Sequence, residues 1–308
     1  MMYVWLLIGF VLLVKGADFF VEGSSSVAKL LRIPSIVIGL TIVAFGTSAP
    51  EAAVSITAAI SQQNEIAVGN VVGSNIFNLL MVLGCCAVIL PTAIDKKLLL
   101  KDYPFSLIIT VVLLLLVAFD LHISRLDGII LLVFFAYFLF RTVHQALKGR
   151  TDAAEDNIKV LNPFLSAVYI LGGLAAIVAG GDLVVDSASE IAATFGLSQS
   201  LIGLTIVAMG TSLPELVTSI VAARKGETGL ALGNVVGSNI FNILFVLAAS
   251  AAISPIPVQM TSVYDIILLL VFSGISWLFC KSKYEINRLE GASMILMYAA
   301  YMVYIILR

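Results

Sequence analysis

The chain has 308 residues, of which 60% are hydrophobic and 12% are charged, and its mean hydropathy is +1.10. Soluble domains carry about 25% charged residues, so this composition excludes an ordinary soluble protein and predicts that most of the chain lies in a lipid bilayer. The net charge of −2 provides no basic surface field, and we therefore expect no nucleic-acid partner.

Apolar runs long enough to cross a bilayer recur along the whole chain. A membrane helix needs about 20 mostly apolar residues, and the sequence contains ten such runs. We expect the first run to be a retained membrane helix rather than a signal peptide, because no basic residue precedes it and no clear cleavage site follows it. The predicted spans are 2–30, 35–60, 66–90, 103–120, 126–147, 162–192, 199–223, 229–253, 262–280 and 288–307.

The longest polar stretch divides the ten spans into five and five. We predict an N-terminal five-helix unit at 1–147, a cytoplasmic linker at 148–161 and a C-terminal five-helix unit at 162–308. The two units are internal repeats at an offset of 164 residues, since 27 of the 42 positions in 39–80 are identical to those in 203–244. Matches of this kind are not explained by low complexity, and they indicate a duplication.

Five helices per repeat determine how the two units are oriented. Each helix reverses the direction of the chain, so the repeats enter the membrane from opposite sides. The predicted fold is therefore an all-α membrane protein of ten transmembrane helices in two inverted five-helix repeats, an architecture typical of secondary transporters. Of the 17 Lys and Arg residues, 14 fall on one predicted side, Arg125 and Arg308 fall on the other, and Lys15 lies within the first span. Basic loops stay cytoplasmic, so we expect a multi-pass protein of the cell membrane (plasma or inner) with both termini extracellular.

The motif G-T-S-x-P-E occurs at 46–51 and again at 210–215, each time inside an apolar span. A proline inside a helix removes a hydrogen bond and clashes with the preceding turn, so both spans should break there and expose main-chain carbonyls. Glu51 and Glu215 place carboxylates at membrane depth, where a charge costs about 2.5 kcal/mol or more. No Lys or Arg lies within reach in sequence, and a divalent cation would balance the two charges. The alternative is a pair of protonated glutamates that share a hydrogen bond.

Hydroxyl groups flank both glutamates and add to the oxygen atoms of the motif. Carboxylate, hydroxyl and carbonyl oxygens are ligands of hard cations such as calcium and sodium. Zinc prefers nitrogen and sulfur ligands, which the motif lacks. The hydroxyl-bearing residues are Thr47, Ser48, Thr211 and Ser212.

The segment G-N-V-V-G-S-N-I-F-N, at 69–78 and 233–242, carries polar residues four positions apart, which places them on one helix face. Its glycines form G-x-x-x-G pairs that permit close contact between helices. Asn70 and Asn234 fit ion ligation and hydrogen bonding between helices equally well. Ion ligation is the interpretation we favour for four residues: Ser74, Asn78, Ser238 and Asn242.

The first and sixth spans are long and carry acidic residues: Asp18, Glu22, Asp182 and Asp186. Lys15 and Asp18 are three residues apart and are expected to pair on one helix face. These acids fit an ion access path and a wet helix end equally well.

At these motifs the chain resembles the calcium/cation antiporters, and within them the prokaryotic sodium/calcium exchangers. The resemblance covers essentially the whole chain and rests on the paired G-T-S-x-P-E segments, each followed by G-S-N-I-F-N on the next span. It implies ten helices in two inverted repeats and ions bound centrally among spans 2, 3, 7 and 8. It also implies that the long spans 1 and 6 slide past this core to switch access.

Carried over by position, the resemblance implies a set of ligands for each ion. The implied calcium ligands are Glu51, Glu215, Thr47 and Thr211. The implied sodium ligands are Ser48, Ser74, Ser212 and Ser238 with the main-chain carbonyls of Ala44 and Ala208, and Asn78 and Asn242 lie at the centre. Several family members have Asp where this chain has Asn242, so the centre here carries two carboxylates instead of three.

The predicted function is a secondary active antiporter that exchanges sodium for calcium by alternating access, with no cofactor. A calcium/proton antiporter is the main alternative, since two membrane glutamates can carry protons; against it, the proton-coupled branch is expected to carry an acidic residue where this chain has G-S-N. A cation channel is a second alternative. An enzyme is not expected, because the sequence has no H-E-x-x-H, no Ser/His pair and no nucleotide-binding motif.

Overall fold

The computed structural model describes residues 2–63, 65–148, 160–196, 205–206 and 208–307. Within these residues the chain is almost entirely helical. The helices are α1 (Met2–Leu31), α2 (Ser35–Thr47), α3 (Ala49–Ile60), α4 (Ile66–Ile89), α5 (Leu98–Ala118), α6 (Arg125–Lys148), α7 (Pro163–Thr194), α8 (Ala208–Gly210), α9 (Leu213–Arg224), α10 (Thr228–Ile253), α11 (Met260–Lys283) and α12 (Arg288–Leu307).

Eight of these helices are long and apolar enough to cross a membrane, and the bent pair α2–α3 makes a ninth candidate in the part of the chain that the structure describes. The protein is therefore a helical multi-pass membrane protein. The predicted seventh span, 199–223, lies partly outside the described residues, and the predicted linker 148–161 lies almost wholly outside them.

One boundary differs by several residues from the sequence prediction. The fourth span was expected to begin at residue 103, but α5 begins at Leu98 with one turn of π-helix, Leu98–Asp102. The physical reason is that the carboxylate of Asp102 pairs with Arg141 of α6. This partner lets the buried carboxylate of Asp102 belong to a helix where the hydropathy pattern predicts a loop, while the neighbouring Lys101 is exposed.

Four two-residue strands were not predicted from the sequence. In chain order they are β1 (Thr92–Ala93), β2 (His122–Ile123), β3 (Ile256–Pro257) and β4 (Glu285–Ile286). β1 pairs with β4 and β2 pairs with β3, both antiparallel. A shift by the repeat offset of 164 residues places β1 on β3, and a shift of one residue less places β2 on β4. The repeat relation therefore converts the β1–β4 pair into the β3–β2 pair and the reverse, as a two-fold relation between the halves requires.

The core of the molecule surrounds α4 and α10. In these helices 72% and 78% of the membrane-crossing window is buried, against 33% for α1 and 28% for α7. The two long helices α1 and α7 pack against each other at the periphery along a line of glycines. A Cβ atom at Gly16 would lie only 2.8 Å from the carbonyl oxygen of Gly173, so a larger residue does not fit this contact.

The predicted close contact at the G-x-x-x-G pairs is confirmed for the second copy. A Cβ atom at Gly233 would lie 2.5 Å from the carbonyl oxygen of Ile36 in α2, so α2 and α10 touch through their main chains. Among described residues, no atom lies within 4 Å of a Cβ built at Gly69 or Gly73. The sequence equivalents of residues 36–40 in the second repeat, residues 200–204, lie outside the described residues.

Candidate ion-binding site

Both copies of the G-T-S-x-P-E motif interrupt their helices. The first break lies at Ser48, where α2 and α3 differ in direction by 48°. The second lies between α8 and α9 and includes Ser212. Pro50 and Pro214 occupy the first turns of α3 and α9, where a missing N–H leaves no helical hydrogen bond unmade. The breaks expected from the two prolines are therefore present in both copies.

The two glutamates lie fully buried in the first turns of the helices that follow the breaks. Helix N-termini favour negative charge, so this position suits a carboxylate. Each glutamate accepts a hydrogen bond from the serine of the other copy. Ser48 Oγ donates to Glu215 Oε1 at 2.9 Å, and Ser212 Oγ donates to Glu51 Oε1 at 2.9 Å. The two motifs, 164 residues apart in sequence, therefore form one site.

The polar faces of α4 and α10 reach the same carboxylates. Ser74 Oγ lies 3.4 Å from Glu51 Oε1, and Ser238 Oγ lies 3.4 Å from Glu215 Oε1. Ser74 Oγ also lies within hydrogen-bond distance of Ser212 Oγ, at 3.0 Å. Four serines that the sequence proposed as ligands therefore contact the glutamates, and these contacts link α3 and α4 with α9 and α10.

Four buried carboxylate and amide oxygens of the candidate ligand residues have no hydrogen-bond partner in the described part of the chain. They are Glu51 Oε2, Glu215 Oε2, Asn78 Oδ1 and Asn242 Oδ1. A buried acceptor without a partner costs about 1–3 kcal/mol. Acceptors of this kind are ligands of hard cations, and the two carboxylates balance two positive charges. Among the described residues, no three or more His, Cys, Asp or Glu side chains come together in a group that could hold a metal ion, so a cation held by the two glutamates would take its other ligands from neutral oxygens.

The two threonines of the motif differ in their surroundings. Thr47 is fully buried, donates to Asn234 Oδ1 at 3.0 Å and lies 3.5 Å from the carbonyl oxygen of Ala44. Donation leaves the lone pairs of a hydroxyl oxygen available. Thr211 is half-buried, and its hydroxyl has no partner within the described ranges. Ala208, whose carbonyl the sequence also proposed, is the first residue of α8.

Asn70 and Asn234, for which two roles were open, make hydrogen bonds between helices. Asn70 Nδ2 donates to Ser55 Oγ at 2.9 Å and to the carbonyl oxygen of Glu51 at 3.2 Å. Asn234 Nδ2 donates to Ser219 Oγ at 2.9 Å. These bonds tie α4 to α3 and α10 to α9, and they hold each glutamate-bearing helix against the polar face beside it.

Two asparagines that were not singled out from the sequence belong to the same network. Asn75 and Asn239 are almost fully buried, and they hydrogen-bond to Asn242 and Asn78 respectively. The signal that could have found them is their repetition in both G-S-N segments. Their spacing did not place them on the face with Ser74 and Asn78, and sequence reasoning therefore passed over them.

Among the acids of the long helices, Asp18 is paired. Its carboxylate lies 3.8 Å from Lys15 Nζ, which confirms the expected pairing, and 3.3 Å from Lys225 Nζ at the end of α9. Lys225 Nζ also donates to the carbonyl oxygen of Asp18 at 2.9 Å. No ion pair of Asp182 or Asp186 is found in the part of the chain that the structure describes.

A family model described as sodium/calcium exchanger protein matches residues 1–143 and 165–307. The chain belongs to the sodium/calcium exchanger family. Sodium/calcium exchanger MaX1 of Methanosarcina acetivorans is 34% identical, with coverage of 97% of this chain and 96% of MaX1. Inner membrane protein YrbG of Escherichia coli is 37% identical, with coverage of 88% and 87%.

Solved structures give the same family. A structure of the sodium-calcium exchanger NCX_Mj, soaked with 2.5 mM Na⁺ and 0.1 mM Ca²⁺, superposes with a TM-score of 0.86 at 34% identity and covers 98% of this chain. The match covers 97% of the NCX_Mj chain. Membership of the calcium/cation antiporters, which the paired motifs predicted, is therefore confirmed, and this exchanger family is one of transporters.

Proposed function

We propose that this exchanger moves calcium against sodium across the cell membrane by alternating access at the centre between the two repeats. The observation that carries the proposal is the set of four buried oxygens without partners, two of them carboxylate oxygens from different repeats. One calcium ion would receive ligands from both halves of the chain and would be balanced by Glu51 and Glu215. Loading the site would then tie the two repeats together.

The proposed ligand sets are those that the resemblance to the family implies, carried over by position, and the contacts of the four serines with the glutamates support them. Calcium would be held by Glu51, Glu215, Thr47 and Thr211, with Asn78 and Asn242 at the centre. Sodium would be held by Ser48, Ser212, Ser74 and Ser238, with the main-chain carbonyls of Ala44 and Ala208. The serines already touch the carboxylates, so a sodium ion on them would share the same charge as calcium. Because two kinds of ion compete for two carboxylates, they do not load together, and exchange becomes obligatory.

The repeat architecture supports the transport cycle. The exchange of the two strand pairs under the repeat offset supports two inverted five-helix units of a ten-helix transporter. The long helices α1 and α7 pack mainly against each other at the periphery, which suits sliding past the buried core. The distribution of 14 basic residues on one side and two on the other supports cytoplasmic placement of the linker 148–161 and extracellular termini.

Proton coupling is the second candidate, because each buried glutamate can carry a proton in place of a cation. Two observations favour sodium. The neutral serines next to the carboxylates offer oxygen ligands that a proton does not need. In addition, the names of MaX1 and NCX_Mj specify sodium and calcium.

The deciding experiment is the uptake of radiolabelled calcium into proteoliposomes under separate sodium, proton and potassium gradients. We expect uptake to follow an outward sodium gradient, to reverse with it and to saturate at low turnover. Uptake driven equally well by a pH gradient without sodium would favour the proton antiporter, and large single-channel currents would favour a channel. Cysteine labelling at position 152 from outside intact cells would contradict the proposed orientation.

A further inference from the structure

We infer that Asn75 and Asn239 are positioning residues that determine which end of the Asn78 and Asn242 side-chain amides faces the ion. The inference rests on the proposed function, since it concerns the two neutral oxygens at the centre of that site. All four asparagines are nearly or fully buried, with exposures of 0–2%. Their amide groups therefore need partners from the protein itself.

The four asparagines form a closed network across the repeats. Asn75 Nδ2 donates to the carbonyl oxygen of Asn239 at 3.1 Å, and Asn239 Nδ2 donates to the carbonyl oxygen of Asn75 at 3.3 Å. The remaining bonds are crossed. Asn242 Nδ2 donates to Asn75 Oδ1 at 3.1 Å, and Asn78 Nδ2 donates to Asn239 Oδ1 at 3.2 Å.

The direction of every bond in this network follows from the two main-chain carbonyls. A carbonyl oxygen only accepts, so Asn75 must turn its NH₂ group toward Asn239 and its own oxygen toward Asn242. Asn242 must then present NH₂ to that oxygen. Its oxygen is left at the other end of the amide, and this is the atom that lies buried without a described partner. In the other repeat, the carbonyl of Asn75 fixes the amide of Asn239, and Asn239 fixes that of Asn78. Asn78 Oδ1 is therefore also left buried without a described partner.

The direction of the amide matters because its two ends have opposite chemistry. The carbonyl oxygen can ligate a cation, whereas the NH₂ group would present hydrogen atoms to it. Reversal of the Asn242 amide would also place its oxygen against Asn75 Oδ1, with two acceptors facing each other. The main chain thus pre-sets both neutral ligands before any ion arrives, and preorganised groups bind with less ordering cost.

The crossed pairing provides the test. Asn75→Ala removes the acceptor that orients Asn242, and we expect it to weaken calcium binding about tenfold, as expected for a lost buried partner. In the Asn75→Ala background, Asn242→Ala should then cost almost no further affinity. Asn78→Ala should still cost its full amount there, because Asn78 is oriented by Asn239. In the Asn239→Ala background, Asn78→Ala should cost almost no further affinity and Asn242→Ala should cost its full amount. Isothermal titration with calcium in sodium-free buffer measures all of these variants.

Two further variants separate orientation from folding. Asn75→Asp has the same size, and in its protonated form it donates to the carbonyl oxygen of Asn239 and keeps an acceptor toward Asn242. Asn242→Ala should therefore cost as much affinity in this background as in the wild type. Ser250→Ala removes a buried hydroxyl of α10 that bonds to the carbonyl oxygen of Val246, outside the network, and should leave calcium affinity unchanged. It therefore serves as the control for loss of a buried polar group.

The outcomes distinguish this inference from the proposed function. If Glu51→Gln and Glu215→Gln abolish calcium binding but Asn75→Ala is additive with both Asn242→Ala and Asn78→Ala, then the positioning role is wrong and the site stands. If the glutamate variants bind calcium normally, the site is wrong and the inference falls with it. Coupling of Asn75 to Asn242 and of Asn239 to Asn78, but not within each repeat, supports the inference.

Discussion

The two copies of the motif are alike at their carboxylates and different at the helix breaks. The Ser48–Glu215 and Ser212–Glu51 hydrogen bonds are both 2.9 Å long, and both Ser74 and Ser238 lie 3.4 Å from their glutamates. Thr47, by contrast, is buried and bonded to Asn234, while Thr211 is half-buried and has no partner among described residues.

A second difference concerns the contact with the long helices. Lys225 at the end of α9 pairs with Asp18 of α1, but the position equivalent to Lys225 in the first repeat is Ser61, which carries no charge to pair with Asp182. The comparison teaches that duplication has kept the chemistry of the charge centre symmetric. The parts that connect this centre to the long helices α1 and α7 are free to differ.

The largest expected effect concerns the symmetric part of the site. Glu51→Gln and Glu215→Gln should each abolish exchange and weaken calcium binding by more than about 100-fold, since each removes one of two charges that balance a dication. The two losses of calcium affinity should be similar, because Glu51 and Glu215 have hydrogen bonds of the same lengths. Isothermal titration and proteoliposome flux measure this, with thermal unfolding as the control for folding. A near-normal affinity in either variant would mean that these glutamates are not the site.

The next effect concerns charge at the centre. We expect wild-type exchange to need no potassium, because two carboxylates are balanced by one calcium ion. Asn242→Asp should change ion coupling more than calcium affinity. An ionised Asp cannot donate to Asn75 Oδ1 as the native amide does, so the added acid should stay protonated beside two glutamates. Calcium flux with and without potassium, in both proteins, tests this, and wild-type transport that stops without potassium would refute it.

The threonines offer a smaller effect that sharpens the difference between the copies. Thr47→Val and Thr211→Val should both weaken calcium binding, since both hydroxyls are proposed ligands. Only Thr47→Val should also destabilise the protein, by about 1–2 kcal/mol, because it leaves the buried Asn234 oxygen without its donor. Thermal unfolding in sodium- and calcium-free detergent solution compares the two variants. Equal destabilisation would show that the two breaks are equivalent after all.

The smallest effect is expected at the Asp18–Lys225 pair. Both side chains are about one-third exposed, and exposed pairs contribute about 0–1 kcal/mol, so Lys225→Gln should shift the balance between access states by no more than about fivefold. Asp182→Asn, at the position equivalent to Asp18, should shift it less, because no ion pair of Asp182 is found among the described residues. Labelling of a cysteine introduced beside the site, from each side of the membrane, reports the shift. A larger change for Asp182→Asn would contradict the comparison.

The sequence alone was sufficient for the helical membrane class, the duplicated motif, the prolines that break two helices and the family. These features are local, because apolar runs, a proline in a span and repeated residue types can be recognised without knowledge of the tertiary contacts. The face shared by Ser74 and Asn78 was likewise accessible from helical periodicity. The extension of α5 to Leu98 was missed, since it depends on the partner that Arg141 provides for Asp102.

Only the tertiary structure decided how the copies combine. That Ser48 bonds to the glutamate of the other repeat, that Asn75 holds Asn242 and not Asn78, and that β1 pairs with β4 are all facts about residues more than 150 positions apart. Sequence patterns specify the chemistry and the helix face of each group, but they do not specify which groups meet across a pseudo-two-fold axis. The polarity of the central amides is decided at that axis, because two main-chain carbonyls brought there by packing can only accept hydrogen bonds.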